Sequence, residues 1–154
     1  DIIDVGILRF HNVYGPKCEM SPEKSQVIPA LIRKALNYPN ERFVVWGSGR
    51  QRKAFVFLDD VVDALFSVLE RGMGKGVIQI GPDYSTSIKE IAEEIVKISK
   101  KNITIEYDTA KIEGDVDRAA DWYKAKKFLN WTPKTSIADG LKKTFNWCES
   151  IMKS

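Results

Sequence analysis

Polar side chains at a few separated positions mark out the chemistry this chain could do. An apolar run, Val5-Gly6-Ile7-Leu8-Arg9-Phe10, opens directly into His11-Asn12-Val13-Tyr14-Gly15-Pro16. A β-rich segment that delivers polar groups and then stops at Gly-Pro is how open α/β sheets present ligand contacts at a strand's carboxyl end. Asn12 there is equally suited to an Asx turn ahead of Tyr14-Gly15-Pro16. His11, the sole histidine, reads as a packed, hydrogen-bonded side chain rather than a general base. Lys24, Ser25 and Gln26 stand at the expected start of a helix, where unpaired amides and the macrodipole favour an anion such as a diphosphate. Capping by Ser25 and solvent exposure of Lys24 would account for the same residues. Other patterns read as structure. Gly47 and Gly49 lack a third glycine or a following Gly-Lys-Ser/Thr and are read as a hairpin turn rather than a phosphate cradle. Asp59 and Asp60 are read as caps at a helix start rather than a metal pair. Glu113, Asp115 and Asp117 are read as a solvated acidic loop rather than a metal site, since hard cations need several converging oxygens. No metal site and no catalytic group is assigned.

The elements that must position these groups follow from periodicity. Residues 15–24 form a loop. A helix begins near Ser25 or Gln26 and ends by Asn37 to Asn40, with Val27, Ile28, Leu31, Ile32, Ala35 and Leu36 at helical spacing and Pro29 in the first turn. Strands are expected over 43–46, 54–58, 76–81 and 103–107. Asp59-Asp60 opens a helix whose buried stripe is Val61, Ala64, Leu65, Val68 and Leu69, with Gly72 as its stop. Ser87 and Glu90 make a capping box for a helix packing Ile88, Ile91, Ala92, Ile95 and Val96 inward. A helix from about 119 to 130 and a last one carrying Ile137, Leu141, Phe145 and Cys148 flank the break Trp131-Thr132-Pro133. The alternation means an α/β fold. Several connections are too short for parallel crossovers, so part of the strand set is expected to be irregular or mixed. An opening strand with no earlier strand to pair with suggests a start in the middle of a larger architecture. It predicts an exposed sheet edge, hence self-association or a covering partner.

Composition bounds the rest. The 154 residues are 44% apolar, enough for one domain with a core. The net charge of +3, from 24 basic and 21 acidic residues, is interspersed, which favours small anions over nucleic acid. Cys18 and Cys148 lack Cys-x-x-Cys spacing, so no disulfide framework or zinc site is indicated, and reduced thiols in a cytoplasmic protein fit best. No apolar stretch is long enough for a membrane span.

The segments Arg9 to Pro16 (R-F-H-N-V-Y-G-P), Val27 to Leu36 (V-I-P-A-L-I-R-K-A-L), Val44 to Gly49 (V-V-W-G-S-G), Phe57 to Ala64 (F-L-D-D-V-V-D-A), Arg118 to Asp121 (R-A-A-D) and Leu129 to Pro133 (L-N-W-T-P) occur in this order. Together they resemble the C-terminal half of the extended short-chain dehydrogenase/reductase family, the nucleotide-sugar epimerases, dehydratases and reductases, with local wording nearest the GDP-sugar enzymes. The resemblance implies a C-terminal substrate-binding lobe (17–154) with a residual strand of the Rossmann-type sheet (1–16), lacking the N-terminal dinucleotide-binding core. It implies NAD or NADP in the full-length enzyme, none for this chain alone, a GDP-hexose as substrate and a homodimer for the full-length enzyme. The family's glycine-rich phosphate turn and Tyr-x-x-x-Lys pair are missing; Tyr123 and Lys127 share the spacing by coincidence. The isolated chain is therefore expected to be inactive, and a stand-alone binding or interaction module is the alternative. The resemblance also assigns ligand contacts. Asn12 would hold the sugar nucleotide or the cofactor side of the cleft. Lys34 matches a basic residue used for the nucleotide, although a solvated helix face explains it too. Trp46 would line the nucleotide pocket or else be a core tryptophan at a strand end. Lys53 stands where the family has a phosphate-gripping arginine, with Arg52 before it. Alternation points the two to opposite faces, leaving open which meets phosphate. Arg118 would meet the nucleotide's phosphates or ribose, with Asp121 orienting it or capping the helix.

Overall fold

The computed structural model describes residues 3–111 and 117–153. In chain order its first elements are β1 (Ile7–Phe10), β2 (Asn12–Tyr14), α1 (Val27–Asn37), β3 (Val44–Trp46), β4 (Arg52–Lys53), β5 (Phe55–Phe57) and α2 (Leu58–Arg71). They are followed by β6 (Val77–Ile80), β7 (Thr86–Ser87), α3 (Ile88–Ser99), β8 (Glu106–Asp108), β9 (Asp117–Arg118), a π-helical turn (Ala125–Leu129) and α4 (Ile137–Met152). Glu113 and Asp115 lie outside the described residues; Asp117 is exposed in β9.

The opening apolar run feeds two partners. β1 is parallel to β6, with Phe10 opposite Ile80, and β2 is parallel to β5, with Asn12 opposite Phe55. β3 is parallel to β8. β4 takes β7 antiparallel on one side and β9 parallel on the other. Among the described residues the strands thus form separate small sheets, parallel except for the mixed sheet β7-β4-β9. Gly47 and Gly49 do hold left-handed φ values of 78° and 74°, but the hairpin expected there is absent, because β3 and β4 pair with other strands. Instead the Gly49 and Gln51 carbonyls accept from the Lys89 and Ile88 amides at 2.9 and 3.0 Å, tying this turn to the start of α3.

Two packed clusters form the interior. One joins α1, α3 and α4 to β3 and β5 through Ile28, Ile32, Val45, Phe57, Ile91 and Leu141. The other lies between α2, β6 and the π-turn, with Val61, Ala64, Ile78, Ile80 and Leu129. The capping box of α3 forms: Ser87 Oγ accepts from the Glu90 amide at 3.1 Å, and Glu90 Oε2 accepts from the Ser87 amide at 2.7 Å.

Three expectations are corrected. The stripe of α2 is narrower than its periodicity suggests: Val61, Ala64 and Val68 are buried, whereas Leu65 and Leu69 are exposed, as are Val62 and Phe66. The helix expected from 119 is delayed. Arg118 pairs with Lys53 in β9 and Ala120 donates to the Pro82 carbonyl at 3.1 Å, so the chain stays extended until Asp121 Oδ1 accepts from the Tyr123 amide at 3.1 Å. Finally, Asp60 does not cap α2. It is buried, and its two carboxylate oxygens accept from the amides of Lys134 and Thr135, each at 3.1 Å. It clasps the loop that leads into α4, while Asp59 lies 3.8 Å from Lys143 at the surface.

One face remains apolar and uncovered. Among the described residues β1 has a paired strand on one side only, and Ile3, Val5, Ile7 and Phe10 are exposed. No helix of the described residues is long and apolar enough to cross a membrane.

Candidate binding site

A hollow of about 310 Å³ opens between the start of α1, β3 and β4, lined among others by Ser25, Lys34, Trp46, Gln51 and Lys53. β-strand alternation puts Gln51 and Lys53 on one face and Arg52 on the other, and the side chains obey it. Arg52 Nε donates to Ser85 Oγ at 3.1 Å, its Nη2 to the Ser85 carbonyl at 2.7 Å, and its Nη1 lies 3.2 Å from Glu90 Oε2. The structure therefore does not bring Arg52 to the hollow; its guanidinium holds the segment before α3.

Trp46 ends β3 with 63% of its surface exposed, so it is not a core tryptophan. Lys111 Nζ stands 5.5 Å from its ring centroid, a cation–π contact that leaves a flat apolar wall at the rim. Lys34 is half-buried on α1 and donates to the Val44 carbonyl at 2.6 Å, so it is not on a solvated face. Burial, ahead of the neighbouring Arg33, pushes its ammonium below the ordinary lysine range. Ser25 Oγ and Gln51 Oε1 are buried with no hydrogen-bond partner among the described residues. Buried polar atoms rarely stay unsatisfied, and both belong to residues lining this hollow. Gln51 escaped the sequence reading; its two-residue offset from Lys53 was the signal that could have found it.

A second hollow, of about 400 Å³, is lined by Arg9, His11, Asn12, Gln79 and Arg118 among others. Asn12 Nδ2 donates to the Ala54 carbonyl at 2.9 Å, which stitches β2 to β5. His11 Nε2 lies 2.8 Å from Gln79 Oε1, a packed histidine in keeping with its sequence reading. Arg118 is the register partner of Lys53. In a parallel pair such partners project from one face, so Lys53, lining the first hollow, and Arg118, lining the second, stand on the same face of the strand pair. Lys24 and Gln26 go elsewhere, lining a third hollow of about 230 Å³ with Cys18 and Glu19. Of the three residues before α1, Ser25 alone lines the Trp46 hollow. Tyr123 and Lys127, which share a spacing but no site, stack as a cation over a ring at 5.4 Å.

The described residues offer no dinucleotide cradle. That would need a glycine-rich turn between a strand and a helix N-terminus. Two Gly-x-Gly patterns, 72–74 and 74–76, run from α2 toward β6; the third, 47–49, runs from β3 toward β4, and a Cβ placed on Gly49 would meet the Tyr107 ring at 2.7 Å. Its openness to backbone is already used by that packing.

Comparison with known proteins agrees with this architecture. The model of the NAD dependent epimerase/dehydratase family matches residues 2–81. The chain is 35% identical over 139 residues to GDP-L-fucose synthase 1 of Arabidopsis thaliana, covering 88% of this chain and 43% of that protein. It is 31% identical over 145 residues to GDP-mannose 3,5-epimerase of the same plant, covering 94% of this chain and 38% of the relative. Among solved structures, UDP-glucose 4-epimerase of Thermotoga maritima with UDP-glucose superposes with a TM-score of 0.88 at 28% identity, over 97% of this chain and 47% of the other. The chain thus spans less than half the length of each of these three proteins.

Proposed function

The chain belongs to the NAD dependent epimerase/dehydratase family, and from that premise we propose that it is the part of a nucleotide-sugar enzyme that binds an activated hexose, with a GDP-hexose as the substrate class. The observation that carries this reading is the register pair Lys53 and Arg118, one lining each of two hollows. Two cations side by side suit a diphosphate, whose charge each meets through charge-assisted hydrogen bonds. Lys34, held below the ordinary lysine range by burial, is drawn back toward its charged form when an anion enters. Trp46 offers its face to the base or ribose. The orphaned Ser25 Oγ and Gln51 Oε1 meet ribose hydroxyls or base N–H groups; in this role Gln51 accepts and Ser25 can donate as well. Asn12 closes the sugar side next to Arg118.

In this reading residues 1–16 are the last part of a Rossmann-type sheet and 17–154 the substrate lobe. The apolar face of β1 and α2 is the seat of a dinucleotide-binding core outside this chain. NAD or NADP and the catalytic Tyr-Lys pair belong to that core. This chain contributes affinity and orientation, which lower the barrier by fixing the sugar's geometry before reaction. Calorimetric titration of the intact protein with GDP-, UDP- and dTDP-hexoses tests the proposal. Tightest binding by the GDP-sugar is expected. Tighter binding by a UDP- or dTDP-sugar overturns the base assignment, and no saturable binding of any of the three overturns the site.

A further inference from the structure

Folding brings together the two cysteines that lie 130 positions apart in the sequence. Cys18 Sγ, on the irregular segment between β2 and α1, stands 3.9 Å from Cys148 Sγ on α4. Met20 Sδ lies 3.3 Å from the same Cys148 sulfur. Both thiols are free. Cys148 is wholly buried, whereas Cys18 is half-buried and lines the 230 Å³ hollow beside Lys24 and Gln26. The pair is therefore asymmetric in access: a small reagent reaches Cys18 and not Cys148. It is asymmetric in acidity too. The hydrogen bond with Cys148 holds the Cys18 thiol below the usual thiol range, while the same contact and then burial push Cys148 up. A zinc reading fails on ligand number, since among the described residues no three His, Cys, Asp or Glu converge and structural zinc takes four ligands.

We propose that Cys18 and Cys148 form a reversible intramolecular disulfide, with Cys18 the attacking and Cys148 the resolving thiol and a small-molecule disulfide as the oxidant. The Cys18 thiolate attacks one sulfur of the oxidant, forming a mixed disulfide and expelling one thiolate, which takes up a proton from solvent. Cys148 then loses its proton to solvent and attacks the Cys18 sulfur, closing the protein disulfide and expelling the second thiolate. Two protein thiols are oxidised and one small disulfide is reduced to two thiols. The sulfurs must approach by roughly 2 Å to bond. Cys18 can supply that movement, because it stands on a segment outside any helix or strand. The bond would pin the segment that enters α1, and with it Ser25, to the C-terminal helix.

The test equilibrates the intact, reduced protein with oxidised glutathione, blocks remaining thiols, and maps tryptic peptides without reduction. Cleavage after Lys17, Lys24, Lys143 and Lys153 isolates each cysteine. The expected product joins peptide 18–24 to peptide 144–153, about 2 Da lighter than their sum, with loss of both blocked thiols and full reversal by dithiothreitol. Cys148→Ser should trap glutathione on Cys18, and Cys18→Ser should leave Cys148 reduced in the folded protein. A lasting glutathione adduct on wild-type Cys18 without the joined peptide overturns the proposal. So does recovery of both cysteines as free thiols after oxidation. The wild-type protein decides the matter even if a variant fails to fold.

Discussion

Removing the Asp60 carboxylate should be among the most damaging single changes available outside the apolar core. Asp60 is 3% exposed, and its oxygens satisfy the backbone amides of Lys134 and Thr135 at 3.1 Å each. A hydrogen bond to a charged group contributes about 1.5–3 kcal/mol. The two amides are only partly buried, so water recovers some of the loss, and Asp60→Ala is expected to cost roughly 2–4 kcal/mol. At about 2–4 °C per kcal/mol for a domain of this size, the melting point falls by roughly 4–16 °C. The Trp131 indole N–H, which donates to the Asp60 backbone carbonyl at 2.9 Å, keeps its partner and limits the damage to the clasp. Asp60→Asn retains one acceptor but turns an NH2 toward the other amide, so it should fall between the two. Asp59→Ala is the control: its contact with Lys143 is long and exposed and is worth less than about 1 kcal/mol. Urea denaturation of the intact protein separates the variants through their midpoints. Equal losses for Asp59→Ala and Asp60→Ala would show that both acids act through the helix terminus and would refute the clasp.

Lys53→Ala should weaken nucleotide-sugar binding by roughly 10- to 150-fold, the equivalent of one charge-assisted hydrogen bond, with little change in melting. Arg52→Ala should do the reverse, lowering stability by about 1 kcal/mol while titration shows near-native affinity; matching affinity losses for both would contradict the strand alternation. Glu90 sits below the usual carboxylate range, first through the Ser87 amide, then the Ser87 hydroxyl and Arg52. Its contribution is therefore complete above its ordinary 4.5 and is lost as pH falls from there through the depressed folded value. Glu90→Gln should cost about 0.5–1 kcal/mol at neutral pH after solvent screening and flatten the acid limb of the stability curve. A Cβ on Gly140 would fall inside contact distance of the Tyr14 hydroxyl and 2.8 Å from Tyr14 Cζ, so Gly140→Ala should destabilise by about 1–3 kcal/mol through overpacking, read as a lower denaturation midpoint.

Local signals in the sequence located α1, α3 and α4 and the capping box Ser87–Glu90, because spacing and caps are set within a few residues. What stayed hidden depends on partners far along the chain. The Gly47–Gly49 turn looks like a hairpin until β8 and β9 arrive from more than fifty residues downstream to take β3 and β4. Asp60 looks like a cap until Lys134 and Thr135 are folded against it. Leu65 and Leu69 fit an apolar stripe that the described elements cover only in part. In the candidate site, Trp46, Lys53, Lys34 and Ser25 share one hollow and Asn12 and Arg118 a second. Lys24 and Gln26 diverge because consecutive residues leading into a helix point in different directions. Arg52 diverges because strand neighbours alternate.

The account stands on a diphosphate held between Lys53 and Arg118. A crystal structure of the intact protein with a GDP-hexose tests that directly. The diphosphate oxygens should lie within hydrogen-bond distance of both side chains, with the base against Trp46. A ligand seated away from Lys53 and Arg118, with Ser25 Oγ and Gln51 Oε1 still unpartnered, would contradict it.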